Sequence, residues 1–238
     1  MGYQSFAHYY DAAMGDRTQD IVYLRKLIKQ HKPEAKTLLE LGCGTGEILK
    51  SFMDNMTVTG VDNSPEMLAV AKEKVPTAHL VQGDITMYHD TEQYDLVLCV
   101  FDTVNHLLDR GQWKQLFTSA RQALARDGLF IFDINTLHKL EKFAGGDLQG
   151  HEFDGNFYMT KVAKAAEGVN IYDWTVEVFE KEPSAEYKLH EEHVQQTSFP
   201  LTEVMEMVES IFLEYVIVED PFLGQVSDQS NRIVFMCK

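Results

Sequence analysis

A β-like run, Thr37 to Leu41 (TLLEL), passes directly into glycines at alternate positions, Gly42, Gly44 and Gly46, and then into a helical start at Glu47. Strand, glycine turn and helix in that order mark one edge of an α/β sheet, where backbone N–H groups and a helix's positive end lie beside a ligand. The first half of the chain repeats the alternation. Val58 to Asp62 (VTGVD), Ala78 to Val81 (AHLV), Asp95 to Val100 (DLVLCV) and Leu129 to Ile134 (LFIFDI) are short, and several are almost continuously apolar. Strands covered on both faces read this way, so the pattern predicts a doubly wound α/β fold around a mostly parallel sheet. Ser64 as N-cap and Pro65 in the first turn open one intervening helix, which Pro76 ends. A further helix is predicted over Gln112 to Ala125, stopping near Gly128.

After Ile134 the rhythm changes. From about Gly150 to Phe199 the segments alternate, as in NIYDWTVEVFE, where Tyr172, Trp174, Val176 and Val178 share one face and Asp173, Thr175 and Glu177 the other. These predict antiparallel strands with one wet side. An amphipathic helix follows, with Leu201, Val204, Met205, Val208, Ile211 and Phe212 at helical spacing, and then a hairpin of Leu213 to Asp220 and Asn231 to Cys237. At 238 residues and 45% hydrophobic, the chain can bury one substantial core. The expectation is a single domain over 1–238 with an antiparallel β insertion over 150–199. Because the insertion leaves from the carboxyl end of the fifth strand, it is placed over the ligand mouth as a substrate lid.

Charge narrows the partners. A formal net charge of -16 argues against nucleic acid, whose binding rests on Lys and Arg neutralising phosphates. The insertion carries ten acidic residues against four lysines and no arginine, which favours an amine-bearing or neutral acceptor over a phosphorylated one. A solvated charged face accounts for the same count. No apolar run approaches the ~20 residues that span a bilayer, and Met1 to Asp20 lacks the order of a signal peptide. A cytoplasmic protein without membrane contact is expected. Cys43, Cys99 and Cys237 are far apart and form no CxxC pair, and His190 and His193 stand three apart in a predicted strand, on opposite faces, so no metal is assigned.

The glycine spacing is GxGxG. A dinucleotide fingerprint starting at Gly42 wants a small residue at position 47, where Glu47 would repel a pyrophosphate. Twenty residues after Gly42 the second strand ends in Asp62, whose two oxygens can accept both hydroxyls of a ribose or can cap the adjacent helix. The third strand ends in QGDIT, where Asp84 can accept from an exocyclic amine of adenine and Ile85 can pack on the ring. A turn aspartate after a glycine is the alternative for Asp84. Taken together the three strand ends point to a nucleoside.

ELGCGTG, GVDNSPEML, QGDI and YDLVLCVFDTVNHL, in this order and spacing, resemble the successive motifs of class I S-adenosylmethionine-dependent methyltransferases. The similarity runs through nearly the whole chain, from FAHYYDAAM to SNRIVFMCK. The strand insertion before the last helix is similar to that of small-molecule N-methyltransferases acting on amino sugars or glycine. The resemblance implies a Rossmann-like methyltransferase fold with seven strands, and S-adenosylmethionine as cofactor. It places Glu40 and the turn Gly42, Cys43, Gly44 and Gly46 at the methionine portion, Asp62 at the ribose, Asn63 and Met67 around the adenosine, and Asp84 and Ile85 at the adenine. Phe101 would line the methionine and acceptor side. Gln196 departs from the family's frequent arginine, which puts recognition of an anionic acceptor in doubt, and Ile211 stands where a glycine is usual.

Methyl transfer from a sulfonium is an in-line displacement, so alignment and desolvation supply most of the acceleration and an amine acceptor needs no dedicated base. Aromatic faces favour the sulfonium charge, which nominates Tyr9, Tyr10 and Phe101, with Tyr10 of YYD at the methyl. Packing the first helix onto the core is the alternative role for Tyr10. Asn105 and His106, in DTVNHL at the end of the fourth strand, can orient an acceptor or take its proton, or simply cap the next helix. The function expected is methyl transfer to a small-molecule acceptor, an amine or a hydroxyl. A non-catalytic S-adenosylmethionine-binding regulator and an NAD-dependent oxidoreductase are the competing classes. Nothing in the residues sets the oligomeric state, and a homodimer is allowed.

Overall fold

The computed structural model describes residues 7–90, 93–184, 186–219, 225–227 and 229–238. Phe6 and Asp220, outer ends of two predicted stretches, lie outside them. The main sheet has strands β1 (Thr37–Leu41), β2 (Thr57–Asp62), β3 (His79–Gln82), β4 (Tyr94–Cys99), β5 (Leu124–Asn135), β10 (Tyr215–Glu219) and β11 (Arg232–Cys237), in the order β10-β11-β5-β4-β1-β2-β3. Strands β1 to β5 pair in parallel, and β11 runs antiparallel to both neighbours.

Burial on both faces explains the continuous apolar runs. Leu39, Leu41, Val97, Cys99, Phe130, Phe132 and Phe235 point to one side, where they meet α5 (Arg110–Ala123) and α7 (Leu201–Glu209) through Trp113, Phe117, Val204 and Val208. Leu38, Leu96, Leu98, Leu129, Ile131 and Val234 point to the other, against α2 (Thr18–His31), α3 (Glu47–Phe52) and α4 (Pro65–Lys74). Adjacent residues of one strand serve different layers, as a period of two requires.

The local signals at α4 act as expected. Ser64 Oγ accepts from the Met67 N–H at 3.2 Å and Pro65 occupies the first turn. Other boundaries move. Asp109 caps α5 by accepting from Gln112 N–H at 2.9 Å, so that helix starts at Arg110 and gives way to β5 at Leu124, well before Gly128. The final helix stops at Glu209, leaving Ile211 and Phe212 to pack beyond its end. Two helices went unpredicted: α2, and α6 (Leu137–Ala144), which sits between β5 and the insertion.

The insertion is an antiparallel sheet of β6 (Gln149–Phe153), β7 (Asn156–Lys164), β8 (Ile171–Lys181) and β9 (Tyr187–Thr197), paired in chain order. On β8, Tyr172, Val176 and Val178 are buried, while Asp173, Thr175 and Glu177 are half-buried. Val176 and Val178 pack against α1 (Tyr10–Met14) through Ala13, Tyr10 and Met14. The Tyr9 hydroxyl donates to Glu180, which also meets His190 Nε2 at 2.8 Å. His193 lies on the exposed face instead, paired with Glu191. Among the described residues no helix is long and apolar enough to cross a membrane.

Candidate active site

The chain runs outward through β1, β2 and β3 and then jumps to β4 on the far side of β1. A sheet wound this way opens a crevice at the carboxyl ends of β1 and β4, because the connections on either side diverge. Two cavities occupy it. The first, about 210 Å³, is lined by the glycine turn, Glu40, Glu47, α1 and Phe101. The second, about 330 Å³, lies between the main sheet and the insertion and is lined by Asp102, His106, Asn135, Lys139, Tyr158, Trp174 and Gln196 among others. Tyr10, Met14, Arg17 and Phe101 line both.

The glycine turn departs from its expected chemistry. Gly42 and Cys43 N–H donate to Val61 O at 2.7 and 3.0 Å, Gly46 N–H to Cys43 O at 2.8 Å, and Gly44 N–H to Asp62 Oδ2 at 2.8 Å. With these donors engaged inside the protein, the turn offers space rather than an amide cradle for pyrophosphate. Gly44, at φ 49°, has nothing within 4 Å of an added Cβ. Gly42, at φ 82°, has no such room: a Cβ there would collide with Thr103 Cγ2.

The first cavity is acidic. Asp11, Asp16, Glu40 and Glu47 line it, against Arg17. Lys74, outside the lining, ties Asp11 (2.5 Å) and Glu47 (2.9 Å) together, and Thr45 Oγ1 donates to Asp11 Oδ1 at 2.6 Å, which straps α1 over the turn. Glu40 is 3% exposed, and its Oε2 has no hydrogen-bond partner. Burial, and then the nearby Asp62 carboxylate, push the Glu40 carboxyl well above its ordinary range, against a Leu49 N–H that lowers it. Burial raises Asp62 as well, against hydrogen bonds from Ser64 and Gly44. Such a pocket suits a cation.

Of the remaining predicted nucleoside contacts, Asp62, Asn63, Asp84 and Ile85 stand at or just past the ends of β2 and β3 and Met67 lies in α4; none of the five lines either cavity. Asp62 accepts Ser64 N–H through Oδ1 at 2.9 Å and Gly44 N–H through Oδ2 at 2.8 Å, with a further backbone hydrogen bond from Asn63. Asp84 Oδ1 accepts both Thr86 N–H and its hydroxyl, the turn geometry of an aspartate after glycine. Asn63 is exposed, Met67 buried, and Ile85 half-buried against the core. The Cys43 thiol is pushed well above its ordinary pKa by burial and is inert.

Two predicted residues, Tyr9 and Asn105, sit differently from their readings. Tyr9 lines neither cavity and is taken up by Glu180. Asn105 is 0% exposed and lines neither cavity: its Nδ2 donates to Asn135 O (2.9 Å) and Thr197 O (2.7 Å), and its Oδ1 accepts Asn135 N–H (2.8 Å). It clamps β5 to the end of β9, away from both cavities, with both its amide N–H groups committed. His106 does line the second cavity, where burial lowers its pKa against the opposing pull of Asp102, keeping the ring neutral. Of the insertion's ten acidic residues none lines that cavity; there the carboxylate among the described residues is Asp102, beside the cations Arg17 and Lys139. Glu152, Asp154, Glu167, Glu186 and Glu191 are exposed, and Glu180 is taken up by Tyr9 and His190.

Asp102, Asp133, Arg17 and Arg232, which sequence reasoning missed, complete the wall around the predicted Phe101. Phe101 and Asp102 have left-handed backbones, φ 59° and 54°. Asp133, 4% exposed at the end of β5, accepts Phe101 N–H at 3.0 Å and Asp102 N–H at 2.7 Å, and pairs with Arg232. Arg17 and Arg232 place their guanidinium carbons 4.5 and 5.2 Å from the Phe101 ring centre. The one available signal was an aspartate inside an otherwise apolar strand.

Residues 38–128 match a protein family described as a methyltransferase domain. Over the full length, the chain is 26% identical to a Geobacillus sp. (strain WCH70) protein provisionally named a methyltransferase, with 100% of each covered. It is 29% identical to the dTDP-3-amino-3,6-dideoxy-alpha-D-glucopyranose N,N-dimethyltransferase of Streptomyces fradiae over 50% of this chain and 47% of that one. The crystal structure of an S-adenosylmethionine-dependent methyltransferase from Clostridium acetobutylicum ATCC 824 superposes with a TM-score of 0.85 at 23% identity, covering 99% of this chain and 98% of that one.

Proposed function

We propose that this chain, an S-adenosylmethionine-dependent methyltransferase with the class I fold, transfers its methyl group to the amine of a small molecule held in the second cavity. The observation that carries this reading is the meeting of the two cavities at Tyr10, Met14, Arg17 and Phe101. One chamber suits a cationic cofactor tail, the next is large enough for a metabolite, and a shared wall is where a group can pass. The Streptomyces fradiae relative, which by its name dimethylates an amino sugar, supports an amine.

S-Adenosylmethionine supplies an electrophilic methyl on a good leaving group. The chain's own residues then have to bind, align and exclude water. Glu40, with its orphaned oxygen, is assigned to the methionine end, where an ammonium would satisfy it. Asp62 is assigned to the ribose, Asp84 and Ile85 to the adenine, with Asn63 and Met67 beside the nucleoside. Phe101 and Tyr10 wall the transfer point. The insertion roofs the second cavity as a lid over the acceptor, within a single domain spanning 1–238. The pyrophosphate of NAD is disfavoured twice, by carboxylates around the first cavity and by the engaged amides of the turn.

The Glu40 carboxyl supplies a test of cofactor placement. An acid whose folded pKa is raised adds stability below its unfolded value of about 4.3, and that contribution is lost as pH rises through the folded value. A cation beside it reverses the shift. S-Adenosylmethionine binding is therefore expected to release protons and to tighten as pH rises from about 4.3 toward neutrality. Calorimetric titration in buffers of different ionisation enthalpy measures the release; zero release and a flat affinity would remove Glu40 from the site.

The reaction is tested by screening amine, hydroxyl and thiol metabolites with the full chain and following S-adenosylhomocysteine. Turnover confined to amines is the expected result. Cofactor binding with no product across the panel would favour a regulator instead.

A further inference from the structure

Four polar side chains form one continuous line along the wall of the second cavity. Lys139 Nζ donates to Asn135 Oδ1 at 2.7 Å, Asn135 Nδ2 donates to Gln196 Oε1 at 3.3 Å, and Gln196 Nε2 donates to Asp102 Oδ2 at 2.6 Å. The direction of the line is forced by its ends, since an ammonium can only donate and a carboxylate can only accept. Neither amide can flip without opposing like groups. Both amides are buried, at 2% exposure each, whereas Lys139 and Asp102 are half-buried. The wall therefore presents a fixed positive end and a fixed negative end, two amide groups apart.

The ends are placed unequally with respect to the transfer point. Asp102 directly follows Phe101, which lines both cavities. Lys139 lines the second cavity and not the first, and lies 5.7 Å from the centre of the Phe143 ring. Gln196 Nε2 also stands 3.4 Å from His106 Nε2, and a donor facing that nitrogen requires it to carry a lone pair, so the imidazole is an accepting neighbour rather than a second cation.

We infer that the acceptor is a dipolar small molecule, its amine held at Asp102 and an anionic group, carboxylate or phosphate, several bonds away at Lys139. This rests on the amine reading above and deepens it. Asp102 accepts one N–H of the neutral amine and leaves the nitrogen lone pair for the methyl carbon. As the N–C bond forms, the S–C electron pair goes to sulfur, and the positive charge passes from sulfur to nitrogen, beside Asp102. The ammonium product then gives one proton to water. Asn135 and Gln196 are positioning residues that fix the two ends. Gln196 carries no charge, so the anion site rests on Lys139, which stands on α6 outside the insertion.

The test uses matched acceptors with the full chain: hexylamine against aminohexanoate, glucosamine against its phosphate ester, and glucose against its phosphate ester. Binding is measured calorimetrically with S-adenosylhomocysteine bound, and turnover with S-adenosylmethionine. At least one anion-bearing amine is expected to bind about tenfold or more tighter than its neutral partner. Carboxylate and phosphate sources are told apart by which pair shows the preference. Lys139→Met is expected to bring that ratio to about one through KM rather than kcat, and Lys139→Arg, which keeps the charge, to preserve it. Equal binding within every pair, no binding of either anionic amine at about 10 mM, or a preference that survives Lys139→Met would overturn the inference. Preference for the glucose phosphate ester with methylation of its hydroxyl would uphold the anion site while defeating the amine reading; methylation of amines regardless of charge would do the reverse.

Discussion

Asp133→Ala is expected to destabilise the protein by about 3–5 kcal/mol, the penalty typical of removing one member of a buried ion pair. Three losses coincide at this residue. Arg232, whose side chain is 14% exposed, loses its carboxylate. Phe101 and Asp102 lose the acceptors of their N–H groups. The same two residues hold positive φ angles that cost roughly 1–3 kcal/mol each unless the surroundings enforce them. Urea unfolding measures the effect as a fall in midpoint at constant slope. Adding Arg232→Met should recover part of the loss, because the guanidinium that faced Asp133 is then gone. A loss below about 1 kcal/mol would show that the wall between the cavities holds without Asp133.

Asp62→Ala should weaken S-adenosylmethionine binding by about 1–3 kcal/mol, five- to more than a hundredfold, from unpaired hydrogen-bonding groups. Its carboxylate also ties Gly44 to Ser64, so the glycine turn loosens as well. Asp62→Asn retains one accepting oxygen and should fall between the two. Calorimetric titration reads both, and unchanged affinity in the alanine variant would take Asp62 out of the cofactor site.

What was readable in the chain follows from which interactions are local. TLLEL into alternating glycines and Ser64-Pro65 before a helix are short-range signals, and they predicted β1, the turn and α4. Helix α2 carries its own signal, with Tyr23, Leu24, Leu27 and Ile28 at helical spacing. Asn105 and His106 are adjacent in sequence, and only long-range contacts, to Thr197 and Gln196, send one into the structure and leave the other at the cavity. Asp102 was passed over because its importance comes from a left-handed backbone and a partner 94 positions away. The acidic count of the insertion did not locate its charge, because residues of a strand alternate between faces and composition says nothing about which face is charged.

The central claim is that a cofactor in the first cavity points its methyl at an acceptor in the second. A crystal structure of the full chain with S-adenosylmethionine tests it most directly. The expected density places the adenine beside Asp84 and Ile85, the ribose at Asp62, the amino-acid end near Glu40, and the methyl at the shared wall of Tyr10 and Phe101, facing Asp102. A cofactor bound elsewhere, or a methyl directed away from the second cavity, would contradict the account.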